Sequence, residues 1–162
     1  MQRPECADVD SHAMDGTVSI RTAGEADFDA LTDLWERSAR SSHAFMDDDE
    51  FAHQRPRVRD LLLPSMDVWL AEASGEILGF VGAREAVVEL LYIAPEAQGR
   101  GLGPALLSYV NGGAGPRSVE VYADNTVGVA FYRGQGFVEQ LRYSVTVGGG
   151  SYEVMRLTRS DA

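Results

Sequence analysis

The chain has 162 residues, 44% of them apolar, and a formal charge of −11. That length supports one domain with a core, and no apolar run approaches the ~18 residues a membrane span needs. A polar start rules against a signal peptide, lone Cys6 excludes an internal disulfide, and an acidic balance without a basic run excludes a general nucleic-acid surface.

Residues 1–16 show no periodicity and are read as a disordered leader or expression remnant, outside a domain of residues 17–162. Residues 17–22 alternate, with Val18 and Ile20 on one face, and predict a first strand. Thr22 to Glu25 has the form of a capping box. Phe28, Leu31, Leu34 and Trp35 then share one helical face. Residues 41–50 predict a polar loop holding His43, Phe45 and four acids. Phe51, Val58, Leu61 and Leu62 predict a second helix, broken near Pro56 and stopped by Pro64. Strands follow at 68–73 and 77–83, joined by a Ser74-Gly75 hairpin turn. The run from Val87 to Ile93 is apolar except for Glu89 and has the composition of a buried strand. A glycine-rich turn opens a third helix, on which Leu102, Ala105, Leu106, Tyr109 and Val110 form one stripe, and the glycines after Asn111 stop it. Next come a strand at 118–123, a helix that Asn125 could cap, and a closing hairpin of 137–147 and 151–158. The order β-α-α-β-β-β-α-β-α-β-β predicts an α/β (α+β) fold. It is a single domain with a central mixed, mostly antiparallel sheet and helices on both faces.

The stretch Gln98-Gly99-Arg100-Gly101-Leu102-Gly103 carries the first chemical signal. A helix start has N–H groups without carbonyl partners, and its dipole adds positive charge there. Glycines allow a phosphate close approach. Pro104 fits near a helix start but removes one possible donor. The alternative reading is a plain tight turn. No Gly-Lys-Ser/Thr follows, so this is not the nucleotide P-loop, and the glycine spacing differs from the dinucleotide fingerprint.

A second motif lies downstream in DNTVGVAFYRGQGF, with Asn125, Phe131, Tyr132, Gly136 and Phe137. Together with Gln98, Gly101 and Gly103 after a strand, it resembles the GNAT superfamily of acetyl-CoA-dependent N-acetyltransferases, over residues 18 to about 157. Within that superfamily, LWERSARSSHAFM and VEVYADN are similar to the small bacterial YiaC/YjaB-type enzymes. The resemblance implies acetyl-CoA as co-substrate, no metal, and direct transfer of acetyl to a primary amine. The chain's acidity suits a cationic acceptor such as a protein lysine, an N-terminus or a small amine. The expected setting is cytoplasmic, with no nucleic acid or membrane partner, as a monomer or homodimer. Competing readings are a degenerate CoA-binding regulator, a phosphate-binding module, and a toxin acetylating aminoacyl-tRNA. The acidic balance opposes the last.

The same resemblance assigns roles. The main chain of Leu91, Tyr92 and Ile93 pairs with the pantetheine arm, and an N–H near Ile93 faces the developing oxyanion. Gln98, Gly99, Arg100, Gly101, Leu102, Gly103 and Pro104 surround the diphosphate. Asn125 holds the pantetheine or simply caps its helix. Tyr132 is the acid for the leaving sulfur, or a packed helix tyrosine. Glu120 and Glu89 compete as base, because a carboxylate on a buried strand has a raised pKa if unpaired; Glu120 is slightly favoured. His43 and Phe45 fall at the acceptor mouth, where the family's helix 1–helix 2 segment lies.

Overall fold

A computed structural model describes residues 17–147 and 149–159. The expected leader at 1–16 and the glycine at 148 lie outside the described residues. The elements are β1 (Ser19–Thr22), α1 (Phe28–Ser42), α2 (Asp48–Arg57), β2 (Asp67–Ala73), β3 (Glu76–Arg84) and β4 (Val87–Ile93). They continue with α3 (Leu102–Leu107), β5 (Ser118–Tyr122), α4 (Thr126–Gly134), β6 (Val138–Val147) and β7 (Gly150–Thr158). The seven strands form one sheet in the order β1-β2-β3-β4-β5-β7-β6. Only β4 and β5 pair in parallel. Strand β3 is buried from Leu78 to Ala83, so both its faces are covered; α1 and α3 pack against it.

Local chemistry explains most boundaries. Ser74 and Gly75 both have positive φ, as a two-residue turn of matching twist requires. The α1 apolar face is buried as expected, at Phe28, Leu31, Leu34 and Trp35. Its capping box closes differently. A short 3-10 turn (Glu25–Asp27) precedes the helix, so Asp27 rather than Glu25 accepts the Gly24 N–H at 2.8 Å.

Two helices depart from the sequence reading. Pro56 lies in the last turn of α2, and the break expected near it is a change of helix type at Arg57 rather than a stop. Proline lacks an N–H and crowds the preceding turn, and the chain answers by widening into a π turn at Val58–Leu62. The wider turn aligns Val58 with Leu63, five residues on, so these two are buried while Leu61 is 58% exposed. Helix α3 is shorter than its apolar stripe implied. It ends at Leu107, and Tyr109 and Val110 donate back three residues, to Leu106 and Leu107. The following glycines at 112, 113 and 115 all have positive φ and cannot extend a helix.

The sheet also opens. β4 and β5 pair only at Val87–Ser118 and Val88–Val119. At that point the β3–β4 register skips Glu89: Ala83 faces Val88 and Gly82 faces Leu90. A bulge bends the strand that carries it, and β4 turns away while β5 stays paired with β7 along its length.

Candidate active site

A cavity of about 980 Å³ fills the gap between the parted strands, a size suited to a cofactor-length ligand. Every residue expected near acetyl-CoA lines it except Arg100. Just past the end of β4, Ala94 donates its N–H to the Leu78 carbonyl of β3 at 2.8 Å. Main-chain groups alternate sides along a strand, so Ile93 turns the other way. Its carbonyl accepts from Ser38 Oγ at 2.9 Å and from Gln98 Nε2 at 3.2 Å. The Gln98 side chain thus fixes the end of β4.

The glycines of the turn do different work. Gly99 and Gly101 have φ of 80° and 83°, with open space where a Cβ would stand. Gly103 has no such torsion; a Cβ there would meet the Phe131 ring at 3.0 Å. The first two shape the turn and leave its outer side bare, while the third lets α3 lie close to α4.

Asn125 caps α4, its Oδ1 accepting the Gly128 N–H at 2.9 Å. Its Nδ2 lies 3.5 Å from His43 Nε2. His43 is 4% exposed. Its ring stands 5.3 Å from Phe45 and Tyr122 and 6.1 Å from Tyr92. Burial depresses its pKa to about 4, so the imidazole is neutral near pH 7. His43 lines the cavity; Phe45 packs behind it, against Tyr122 and Tyr152. Tyr132 is buried on the cavity wall, and burial, reinforced by nearby Tyr92, raises its pKa. Its hydroxyl therefore stays protonated at neutral pH.

Both candidate bases reach the cavity. Glu120 accepts from Arg156 Nη2 at 2.5 Å, its cross-strand neighbour on β7. Glu89 sits 3.4 Å from Arg84 Nε. Burial raises the Glu89 pKa; Arg84 opposes that rise and Glu120 adds to it.

The chain's likeness to known proteins agrees with this geometry. Residues 64–139 match the family model described as Acetyltransferase (GNAT) domain. Over 119 residues the chain is 34% identical to peptidyl-lysine N-acetyltransferase YiaC of Escherichia coli (strain K12), spanning 73% of this chain and 82% of that protein. This chain belongs to the GNAT acetyltransferase family. The GNAT fold is matched by the solution structure of apo-form YjaB from Escherichia coli, with a TM-score of 0.78 and 26% identity over 90% of this chain and 99% of that one. The PaiA N-acetyltransferase of Thermoplasma acidophilum, solved with coenzyme A, gives a TM-score of 0.65 at 20% identity, over 87% and 98% of the two chains. The protein is an N-acetyltransferase. Among its described residues no helix is long and apolar enough to cross a membrane.

Several residues of this GNAT site escaped sequence reasoning. Tyr122 had a signal: it follows Glu120 by two on a strand and shares its face. Tyr143 reaches Glu120 from β6, and Arg84, Arg156, and the pair Gln54 and Arg57 come from three separate elements, β3, β7 and α2. No local pattern brings these together. The Tyr152 hydroxyl donates to Glu50 and ties the start of α2 to β7, a contact across 102 residues.

Proposed function

We propose that the protein acetylates lysine side chains with acetyl-CoA bound in the gap between β4 and β5. The observation carrying this reading is the parting of those strands just past Val88 and Val119, with Tyr132 and two carboxylates on the walls of the gap. The fit of the turn to a diphosphate rests on the open outer sides of Gly99 and Gly101. N–H groups of residues 99–103 would hold the diphosphate; Pro104 has none to give. Leu91 and Ile93 would lend main-chain groups to the pantetheine arm, as an added strand does. Asn125 keeps one amide hydrogen for the same arm, since its oxygen is spent on Gly128. Arg100, outside the cavity wall, would add only distant positive charge.

Acetyl-CoA supplies an acetyl group activated as a thioester. A lysine titrates near pH ~10.4 and must lose a proton before it attacks. Glu89 is the better placed base, because its raised pKa suits proton removal while Arg156 engages Glu120. An N–H of Leu91 or Ile93 stabilises the oxyanion. Tyr132 donates its O–H to the leaving sulfur. Neutral His43 holds Asn125 in orientation and forms the wall toward the acceptor, with Phe45 behind it. A lysine acceptor is supported by the name of the YiaC relative.

All fourteen basic residues of this chain are arginine; it contains no lysine. Every acetyl-lysine formed in a reaction of enzyme, acetyl-CoA and a lysine peptide therefore belongs to the peptide. Mass spectrometry of that reaction should show peptide acetylation matched by thiol release. Acetyl-CoA binding without either product would leave only a CoA-binding regulator.

A further inference from the structure

We propose that the preferred acceptor carries a carboxylate close to its reactive amine, received by Arg57 together with Gln54 and the Tyr122 hydroxyl at the mouth of the cleft. This inference rests on the amine-acetylating reading above and names the acceptor's chemistry.

Arg57 ends α2, is exposed, and lines the cavity. Most described arginines make ion pairs with carboxylates. Among the described residues no carboxylate pairs with Arg57. Its neighbours show why. Arg55 binds Asp33 and Glu36 of α1, and Arg59 binds Asp29 at the start of α1. Residues four apart share a helical face, and the residue midway between them points the opposite way. The α1 side thus takes Arg55 and Arg59 and leaves Arg57 for the cleft.

The guanidinium stands beside two further polar groups. Gln54, three residues before Arg57 on α2, donates to Met46 Sδ at 3.3 Å and lines the cavity together with Arg57 and Tyr122. Burial raises the Tyr122 pKa and nearby Glu50 adds to the rise, while Gln54 and Arg57 pull it back. A guanidinium fork with an amide and a hydroxyl is a donor set matched to a carboxylate. The α2 segment that presents it is anchored by Glu50, which accepts from Tyr152 and closes the capping box with Asp47. Glu89 and Glu120 line the same cavity and suit an ammonium. Carboxylates on the wall and an exposed guanidinium without a carboxylate partner among the described residues together fit an amine with a nearby carboxylate, despite the chain's overall charge of −11.

That carboxylate has two sources: an Asp or Glu beside a protein lysine, or the α-carboxylate of a free amino acid. The test measures kcat/KM by thiol release for two acceptor pairs, with wild type, Arg57→Gln and Arg57→Glu. One pair is a lysine peptide flanked by Glu or by Gln; the other is free lysine or cadaverine. A charge-assisted contact of this kind is worth about tenfold. Wild type should favour the carboxylate member of one pair by about tenfold, and the favoured pair identifies the source. Arg57→Gln should remove the preference and Arg57→Glu should reverse it, with the KM for acetyl-CoA unchanged. A salt titration of wild type, which needs no variant, should shrink the preference toward unity. Equal use of both members in each pair, or a preference that survives both variants, overturns the inference. Turnover with none of the four acceptors would instead overturn the amine-acetylating reading itself.

Discussion

Acidification from pH 7.5 to 5.0 is expected to cost this protein about 2 kcal/mol of stability through His43 alone. The side chain is 4% exposed, among the rings of Phe45, Tyr92 and Tyr122, and burial holds its pKa at about 4. In the unfolded chain a histidine titrates near ~6.5. Above that value neither state is protonated and His43 contributes nothing to the pH dependence. As the pH falls from 6.5 toward 4 the unfolded state takes the proton first, so stability is lost across that window. The slope approaches ~1.4 kcal/mol per pH unit where only the unfolded state is charged, and integration to pH 5.0 gives ~2 kcal/mol. Carboxylates titrate in the same range, so the readout is a difference. Urea unfolding of wild type and His43→Gln at both pH values separates the two contributions, because glutamine keeps a polar partner for Asn125 but does not titrate. Wild type should lose about 2 kcal/mol more than the variant between the two pH values. Equal losses would mean that His43 is hydrated or charged in the folded protein, and the description of the cavity wall would be wrong.

Four further outcomes follow from the site. Tyr132→Phe should lower kcat at least about tenfold with little change in acetyl-CoA affinity; unchanged turnover between pH 6 and 9 removes Tyr132 from the reaction. Gly101→Glu should abolish CoA binding in calorimetry, since it forces a side chain and a negative charge onto a positive-φ residue of the turn; normal affinity would place the diphosphate elsewhere. Glu89→Gln should reduce kcat by about 10²-fold or more and erase the acidic limb of the pH–rate profile, whereas the same loss from Glu120→Gln alone would assign the base to Glu120. In Arg84→Met the charge that opposes the rise in the Glu89 pKa is gone. A base works only when deprotonated, so the acidic limb should move to higher pH, and a limb that stays put excludes Glu89 as the titrating group.

Legibility in the sequence followed the range of the cause. The strands from Val87 to Ile93 and from Ser118 to Tyr122 were readable because alternation and β-branched runs are local. The Ser74-Gly75 turn and the Asn125 cap were readable for the same reason. Pro56 marked where the regular α-helix ends, but not the π turn that carries the chain onward two residues later, a solution that leaves no mark in composition. The α3 stripe misled: Val110 is buried, yet it sits in a tightened turn rather than on the helix. Glu89 was visible as an interruption in an apolar run. Its role as the residue skipped by the β3–β4 register depends on a neighbouring strand, so the opening of the sheet could not be read from β4 itself. The lip of the cleft was the least legible part, because Arg57, Tyr122 and Glu50 meet only after β5 and β7 have closed the sheet.

The most direct test of the account is a crystal structure of this chain grown with acetyl-CoA. The diphosphate should lie on residues 99–103 and the thioester between Ile93 and Tyr132, with the acetyl group facing Glu89. Density for the ligand on another surface, or none in the gap between β4 and β5, would contradict it.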